Sequence, residues 1–445
     1  MQQGIITCAT EASGGRLMRC KFLHLSDVHL GYQQYNLKER FNDFGRAFEH
    51  IVRQAVEEQV DFVLLAGDLF HKRTIDPPTL LQAVNMLDLL KRHEIPVLAI
   101  EGNHDRAHYE DVFSWIDFLA DRGNLIALRP SFENGRAILR EWDGFSGAYV
   151  DLRPRRDPKG VVRVYGTHYC GAATKQVIPM VRDALAKMDH SQVDYVIMML
   201  HAGPDDILPH YLATVPQSVL TPLREFVHYL AMGHIHKPYE RENWIFNPGS
   251  PETCSIEEMA WPERGFYLVD VDTAADPIHR PRRIRNPRRS FLQVRLQVDP
   301  FQNMDRLYQA VAGALEKQTG HPPPPQPVVE VVLEGVWQFA AERVDVERVR
   351  AIVGQQVEPL LVRVTNRTVA RGTFEAEETS SYEELVQRVF QGLFEQDARY
   401  QPQAAQWAHL AIDLKRMVLE GSSPQSIVEY VQHQMEEHQL GVADL

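Results

Sequence analysis

The stretch that decides the fold is FLHLSDVH, residues 22–29. It begins with a short apolar run, residues 22–25, whose length and composition are typical of a buried strand. It ends in Asp27 and His29, whose side chains are costly to bury without a partner. Because they lie two residues apart in an extended segment, they point to the same side and can reach one ion. The stretch therefore predicts a core strand that ends in a metal site.

Four later segments repeat this pattern of an apolar run followed by polar side chains. The apolar runs are residues 62–65, 96–100, 195–200 and 229–232. The polar groups behind them are Gly67-Asp68, Gly102-Asn103-His104-Asp105, His201 with Gly203, and Gly233-His234-Ile235-His236. Parallel strands end at the same edge of a sheet, so we expect these groups to converge there. Carboxylate, amide and imidazole ligands in this number suit two ions of Mn(II), Fe(II) or Zn(II), without choosing among them.

A histidine by itself is more often a satisfied core or surface residue than a metal ligand. The chain has 19 histidines, so some pairs are expected by chance. Chance does not explain five motifs in order, each behind an apolar run. The whole set, and no single histidine, therefore supports the metal site.

Length and composition narrow the class of protein. A chain of 445 residues exceeds one ordinary core, which predicts two or three domains. No apolar run reaches the roughly 18 residues that span a bilayer, and the N-terminus lacks the apolar core of a signal peptide, so we predict a cytoplasmic protein. The formal charge of −13 argues against coating nucleic acid by bulk electrostatics, but it does not exclude a nuclease. The four cysteines form no C-x-x-C pair and are predicted to be reduced thiols.

Strand-like and helix-like stretches alternate from residue 20 to about 270, which predicts an α/β domain with helices packed on a largely parallel sheet. We expect a disordered leader at 1–18, the metal-binding domain at 19–278, and a basic linker at 279–289. A small α+β domain at 290–368 and a linker with three amphipathic helices at 369–445 would follow. The helix predicted at 109–121 is apolar on more than one face. It is interpreted either as core or as a homodimer contact.

The basic linker contains the densest positive charge in this acidic chain. Its arginines are Arg282, Arg283, Arg285, Arg288 and Arg289. They are interpreted either as solvated charges of a linker or as contacts to the phosphates of a nucleic acid beside the metal site.

The five motifs resemble the calcineurin-like metallophosphoesterase superfamily, whose pattern is D-x-H, G-D, G-N-H-[DE], H and G-H-x-H. This resemblance covers about residues 20–270 and implies a β-sandwich flanked by helices. The flanks at 22–32, 67–71 and 95–106 look like the SbcD/Mre-eleven branch, which comprises nuclease subunits of DNA double-strand-break repair complexes. By position and pattern, that branch's capping domain would follow residue 290, and its ATPase-docking helices would lie in the C-terminal region.

The resemblance also implies a role for each residue of the motifs. One ion would be held by Asp27, His29 and His236, and the other by Asn103, His201 and His234, with Asp68 between them. His104 would stabilise the transition state or protonate the leaving oxygen, Asp105 would orient His104, and His71 would lie near the scissile phosphate.

The function that follows is a Mn-dependent DNA nuclease, with double-strand exonuclease and also endonuclease action. It would act in double-strand-break repair, in the nucleoid, with an SMC-like coiled-coil ATPase of the SbcC type. Two alternatives stay open: a phosphatase or small-molecule phosphodiesterase on the same fold, and an inactive scaffold. The chain departs from the branch at 72–78, after His71, and at 202–204, after His201, where substrate would be held.

Overall fold

A computed structural model of the protein describes residues 17–107, 113–207, 214–319, 322–337, 344–369, 382–395, 400–419 and 424–438. The chain divides into two compact units. The first takes in the described residues up to Val294 together with Val311–Val331 and Glu347–Val364. The second takes in Arg295–Ala310, Val332–Val346 and the described residues from Thr365 onward.

The strands within these described ranges are β1 Arg19–Leu25, β2 Phe62–Leu65, β3 Val97–Ala99, β4 Ile126–Ala127, β5 Ser131–Glu133, β6 Arg136–Ile138, β7 Tyr149–Leu152, β8 Val162–Thr167, β9 Tyr195–His201, β10 Gly203–Pro204, β11 Thr214–Val215, β12 Tyr229–Gly233, β13 Tyr239–Arg241, β14 Ile245–Asn247, β15 Gly265–Asp272, β16 His279–Arg285, β17 Phe291–Gln297, β18 Val328–Val336 and β19 Leu361–Val369.

The α-helices there are α1 Lys38–Glu57, α2 Pro77–Arg92, α3 Trp115–Asp121, α4 Thr174–Leu185, α5 Gln217–Leu220, α6 Met304–Gln318, α7 Val346–Gln356, α8 Tyr382–Glu395, α9 Ala404–Leu419 and α10 Pro424–Glu437. None of the helices in the described residues is long and apolar enough to cross a membrane.

The first unit is built on two six-stranded mixed sheets. One has the order β16-β15-β1-β2-β3-β4, and the other has the order β13-β14-β12-β9-β8-β7. Strands β1 to β4 run parallel, as do β8, β9, β12 and β14, while β15, β16, β7 and β13 join their neighbours by antiparallel pairing. One apolar core lies between the sheets, and two others lie under the helices. The predicted β-sandwich flanked by helices is confirmed.

Strand β1 shows how one short sequence supports both cores. Leu23 and Leu25 belong to the core beneath α1 and α2, whereas Phe22 belongs to the core between the sheets. The alternation follows from the two-residue repeat of an extended strand. His24 occupies the inner face and is fully buried; its Nδ1 lies 3.1 Å from the Tyr229 hydroxyl and its Nε2 3.1 Å from the Met232 carbonyl. A strand buried on both faces needs the nearly continuous apolar run that the sequence contains.

Helix α2 begins with a cap that its local sequence favours. At the start of α2, the Asp76 carboxylate accepts a hydrogen bond from the Thr79 amide, and Pro77 opens the first turn. This combination satisfies an amide that would otherwise lack a partner. Helix α1 turns Phe44, Phe48 and Ile51 into the protein, as its helical spacing predicts.

Two expectations about boundaries need correction. Residues 279–289 are not a linker throughout, because His279–Arg285 forms edge strand β16, paired antiparallel with β15. Met18 does not belong to a leader: its side chain is fully buried and its amide donates to Thr273 Oγ1. Residues 1–16 lie outside the described residues. So does most of the first half of the predicted helix at 109–121, of which Trp115–Asp121 is described as α3.

After residue 290, the chain forms the strands and helices of the predicted α+β pattern, followed by the three predicted helices. Strands β17, β18 and β19 form a three-stranded sheet, with α6 and α7 between them in the chain. In the second unit, α8 packs on α9, where the rings of Phe394, Tyr400 and Trp407 contact one another. The division into separate domains at 290–368 and 369–445 stays a prediction.

A buried cation ties α1 to the segment that follows β14. Arg40 is fully buried, and its guanidinium lies 2.6 Å from Asp43 Oδ2 and 3.2 Å from Glu252 Oε1. It also donates to the Thr253 carbonyl at 2.9 Å. Arg289 closes the network with a two-point contact to Asp43, at 2.6 and 3.0 Å. Each buried charge therefore has opposite charges or carbonyls around it.

We expect Arg40→Ala to destabilise the protein by about 3–5 kcal/mol, because buried Glu252 loses the guanidinium beside it, while Asp43 keeps its contact with Arg289. The measurement is urea unfolding followed by tryptophan fluorescence. Arg53→Ala on the same helix is the matched control: Arg53 pairs with Glu49 in solvent at 2.7 Å, so its effect should stay within about 1 kcal/mol. Equal losses in the two variants would contradict the network's role.

Candidate metal centre

The candidate site lies at the carboxyl ends of the parallel strands, where the backbone turns sharply. Asp27, His29 and Asp68 have φ between 52° and 54°, and His234 has φ of 94°. Residues other than glycine rarely adopt these positive φ values, and such backbone strain is concentrated at functional sites. The turns aim these side chains back toward one another, out of the strand direction.

Two glycines make the convergence sterically feasible. Gly67 has φ of 90°, and a Cβ there would lie 2.2 Å from His201 Nδ1. A Cβ on Gly102 would lie 2.0 Å from Asp68 Oδ1. Both distances are far below any real contact, so both motifs require glycine to let the ligand-bearing loops approach.

The first group of ligands consists of Asp27, His29 and His236. The Nε2 atoms of His29 and His236 lie 3.0 Å apart, and Asp27 Oδ1 lies 3.9 Å from His236 Nε2. Asp27 is fully buried; it accepts from the Ser26 hydroxyl at 2.6 Å and from the His234 amide at 3.1 Å. The three side chains predicted for one ion are therefore adjacent.

The second group consists of Asn103, His201 and His234, which also meet. Asn103 Oδ1 lies 3.3 Å from His201 Nε2 and 3.0 Å from His234 Nδ1. Asp68 lies between the two groups: its Oδ2 is 3.4 Å from His201 Nε2 and 3.9 Å from His29 Nε2. Its other oxygen accepts from the His104 amide at 2.9 Å. This is the position that a bridging carboxylate needs.

The protonation of the rings tests whether metal ions fit here. His201 Nδ1 lies 2.7 Å from the Ala66 carbonyl, so Nδ1 carries the proton in the neutral ring. Its Nε2 lone pair then faces two more acceptors, Asn103 Oδ1 and Asp68 Oδ2. An acceptor surrounded by acceptors needs a cation between them, and the donor set suits a divalent transition metal.

The charges of the metal-free site agree with this test. Burial lowers the pKa of His201, but the Asp68 carboxylate outweighs it and raises that pKa to about 9. A proton takes the place of the cation there. Burial and the charge of His236 lower the pKa of His29. Burial raises the pKa of Asp68, but His201 and the other imidazoles reverse the shift and lower it.

His71 and His104 form an imidazole pair next to the first group. Their ring centroids are 5.4 Å apart, and the His104 ring lies edge-on to His29 at 4.9 Å. The His71 ring also stacks on Tyr32, with centroids 3.8 Å apart. Burial and the charge of His104 lower the pKa of His71 to about 4, so His71 is neutral near pH 7.

The contacts of Asp105 differ from those that its predicted role, orienting His104, requires. Its Oδ2 accepts from the Leu69 and Gly102 amides at 3.2 and 3.0 Å, and its Oδ1 accepts from the Phe70 amide at 3.0 Å. His104 is oriented instead by the His71 carbonyl, 2.6 Å from His104 Nδ1. Asp105 therefore joins the loop of Asp68 to the loop of Asn103 and does not hold the His104 ring. Burial and the Asp68 carboxylate raise the pKa of Asp105 to about 7, which two bound cations would oppose.

The sequence analysis missed Glu258, the partner of His236. Its Oε1 lies 2.6 Å from His236 Nδ1, and its Oε2 lies 2.8 Å from the buried Arg264 guanidinium. A carboxylate behind a ligating imidazole fixes which nitrogen faces the ion. Glu258 stands in no motif, and 22 residues separate it from His236, so no local pattern indicates it.

Three exposed cations surround the mouth of the site. They are Lys72, Arg73 and Arg106, which directly follow the motif residues His71 and Asp105. Arg73 Nη2 lies 3.4 Å from the Asn103 carbonyl. In the sequence, residues 72–73 stand out only as part of the segment that departs from the branch. In the structure, their positive charge lies next to the candidate ligands.

The five arginines predicted to contact nucleic acid do not share one environment. Arg289 is occupied by Asp43, and Arg288 donates to Thr253 Oγ1 at 3.2 Å. On strand β16, Arg282 lies 3.7 Å from Asp270, and Arg283 donates to the Glu263 carbonyl. Arg285 is exposed and pairs with Gly265, at the end of the sheet that carries the site. Arg285 is thus the best placed of the five for a nucleic acid at the site.

Comparisons with known proteins match the part of the chain that contains the candidate ligands. The model of the calcineurin-like phosphoesterase family matches residues 20–238, which contain all five motifs. The DNA double-strand break repair protein Mre11 of Archaeoglobus fulgidus is 30% identical over 320 residues, 67% of this chain and 66% of that protein. The Mre11 protein of Aeropyrum pernix is 26% identical over 364 residues, 79% of this chain and 81% of that protein.

The match to the Archaeoglobus protein thus spans just under two thirds of that protein's length. Among solved structures, the calcineurin-like phosphoesterase YfkN from Bacillus subtilis aligns with a TM-score of 0.39 and 12% identity. That alignment covers 61% of this chain and 90% of YfkN, and we draw nothing from it. The family match and the converged side chains agree on the class: residues 20–238 are a calcineurin-like phosphoesterase domain, typical of metal-dependent phosphoesterases, and the chain is similar to the Mre11 repair proteins.

Proposed function

We propose that the chain is a DNA nuclease that uses two divalent ions, Mn(II) in the first place, to hydrolyse phosphodiester bonds in double-strand-break repair. Its main action would be exonucleolytic on duplex ends, with some endonuclease action, in the nucleoid of the cytoplasm. The observation that carries the proposal is the imidazole pair of His71 and His104 beside a complete two-ion ligand set. Similarity to Mre11 proteins supports the substrate class.

The ions would be held by the two ligand groups on either side of Asp68. When bound, they supply Lewis acidity toward the phosphate and lower the pKa of water. The chain's own contribution is the placement of protons. Because His104 Nδ1 donates to the His71 carbonyl, Nε2 is the ring nitrogen left for substrate. Protonated at Nε2, His104 can donate to the leaving oxygen.

His71 suits a different task from His104. Its lowered pKa keeps it neutral, and its stack on Tyr32 limits ring rotation. A neutral, fixed imidazole can accept or donate one hydrogen bond and so position the phosphodiester. Lys72, Arg73 and Arg106 would contact neighbouring phosphates, which a strand has and a small phosphodiester lacks.

Two assembly contacts are part of the proposal. Helices α8 to α10 would dock an SMC-like coiled-coil ATPase of the SbcC type; Leu393, Val418 and Val428 expose 58%, 63% and 51% of their surface there. An amphipathic helix with exposed apolar side chains is a common docking element. The helix at 109–121 would form a homodimer contact. In its described part, Phe113 is 57% exposed.

The first prediction separates metal binding from turnover. Asp68→Ala should lose metal, because the shared ligand is gone. His104→Ala should keep two ions per chain yet lose about 100-fold or more in turnover, since it removes a proton donor and no ligand. The measurements are metal analysis and Mn(II)-dependent digestion of end-labelled duplex DNA.

Equal DNA digestion by the wild type and both variants would show that the site assignment is wrong. A chromogenic phosphodiester, assayed in parallel, identifies the alternative function. If the wild type cleaves that diester but leaves duplex DNA intact at every metal tested, the chain is a small-molecule phosphodiesterase. If it binds no ion after manganese loading, it is a scaffold.

A second prediction concerns the cationic rim. Lys72→Ala with Arg73→Ala should weaken DNA binding uniformly across sequences, and should reduce the slope of log affinity against log salt by about two. Binding is measured by fluorescence anisotropy with the His104→Ala protein, which does not turn over. Arg92→Ala, an exposed cation at the far end of α2, is the control and should leave the slope unchanged. An unchanged slope in the double variant would remove the rim from the interface.

A third prediction tests the docking helices. Val418→Glu and Val428→Glu place charge on exposed apolar positions, so folding should survive while ATPase binding falls at least tenfold. The readout is co-purification and calorimetry with the coiled-coil ATPase, alongside DNA digestion by the free subunit, which should not change. Full ATPase binding by both variants would refute this surface as the docking site.

A further inference from the structure

A cysteine lies beside the first group of metal ligands. Ligand atoms of His29, His236 and Cys254 all lie within 4.8 Å of one another. The described residues contain three cysteines, and among them Cys254 alone joins such a cluster; Cys20 and Cys170 do not. The five motifs do not include Cys254, and the function proposed above makes no use of it.

Both polar groups of the Cys254 backbone are held from the inside of the protein. Its amide donates to Glu258 Oε2 at 2.9 Å, and its carbonyl accepts from Gln34 Nε2 at 2.9 Å. Gln34 is buried and receives a hydrogen bond from Arg40 Nε at 2.9 Å. The thiol therefore projects from a backbone that the buried Arg40 network fixes in place.

One carboxylate orients both the cysteine and its imidazole neighbour. Glu258 accepts from the Cys254 amide with one oxygen and from His236 Nδ1 with the other, at 2.6 Å. Since Nδ1 of His236 is used in this way, its Nε2 lone pair faces His29. A buried carboxylate that orients neighbouring side chains in this way is typical of the residues behind metal ligands.

His29 supplies independent evidence that this cluster is suited to a cation. The residue is 2% exposed, and its Nδ1 has no hydrogen-bond partner. Its Nε2 faces the Nε2 of His236 at 3.0 Å, so at most one proton can lie between the two rings. A buried imidazole with so few partners is normally bonded to a metal or to water.

We propose that the Cys254 thiolate is a further ligand of the ion held by Asp27, His29 and His236, and that it gives this position a preference for a thiophilic ion, Zn(II) above Mn(II). Thiolate, imidazole and carboxylate are all donors that zinc accepts, and here they come from Cys254, the two histidines, and the carboxylates of Asp27 and the shared Asp68. Binding of the ion displaces the thiol proton to solvent, so no oxidant or reductant is needed. The inference rests on the metal centre of the proposed function, and it is independent of the action on DNA.

The competing explanation is that the thiol serves only in packing and hydrogen bonding. It forms a hydrogen bond with the His236 side chain, and its Sγ lies 3.7 Å from the Glu252 carbonyl oxygen. A packing role predicts no metal–sulfur bond and no change in metal preference on replacement by serine. The two explanations therefore differ in a directly measurable bond.

The test is X-ray absorption spectroscopy of the full chain loaded with zinc to two ions per chain. We expect a Zn–S distance of about 2.3 Å in the wild type, absent in Cys254→Ser and retained in the control Cys170→Ser. In competition with a zinc indicator, Cys254→Ser should bind the tighter zinc ion at least tenfold more weakly, while its Mn(II) affinity stays within about twofold.

Each outcome decides the inference. Two zinc ions without a sulfur shell in the wild type overturn it and leave the metal centre standing. A sulfur shell that persists in Cys254→Ser assigns the sulfur elsewhere and also overturns it. A wild type that binds no zinc or manganese refutes the metal centre and this inference with it. Because a wild-type spectrum without sulfur overturns the inference by itself, a Cys254→Ser protein that fails to fold does not rescue the idea.

Discussion

The rest of the structure depends on one electrostatic constraint, the burial of two carboxylates among imidazoles. Asp27 is fully buried and Asp68 is 2% exposed, and each has histidine nitrogens within 4 Å. Buried charges of this kind are stable only when they are paired or bound to a cation. The strained turns and the obligatory Gly67 and Gly102 all serve to bring these groups together.

A second layer of buried charge holds the ligands in position. Glu258 fixes His236, Arg264 fixes Glu258, and the Arg40 network fixes the segment from Glu252 to Cys254. Asp105 does the same for the loops of Asp68 and Asn103 through three backbone amides. Ligand precision at this site therefore comes from side chains outside the ligand set.

Chemical roles at the site follow from which nitrogen of each ring is occupied. His201 and His236 are held at Nδ1, one by a carbonyl and one by a carboxylate, so both face the site with Nε2. His104 is held at Nδ1 as well, by the carbonyl of His71. All three rings are thus held at Nδ1, which leaves Nε2 facing the site. Two of them face buried acceptors with Nε2, and His104 lies beside these two. Position, and not residue type, separates the two candidate ligands from His104, the acid of the proposed function.

The sequence by itself determined the features that depend on neighbours along the chain: the apolar strands, the cap of α2, and the candidate ligands that directly follow the strands. Those features depend on local sequence, so they can be predicted without knowledge of the fold. Only the tertiary structure decided that His279–Arg285 is an edge strand, that Asp105 joins loops, and that Glu258 and Cys254 stand behind and beside the ligands. Each of these depends on contacts across the fold, between residues up to 225 positions apart, and no local pattern in a single sequence records such a contact.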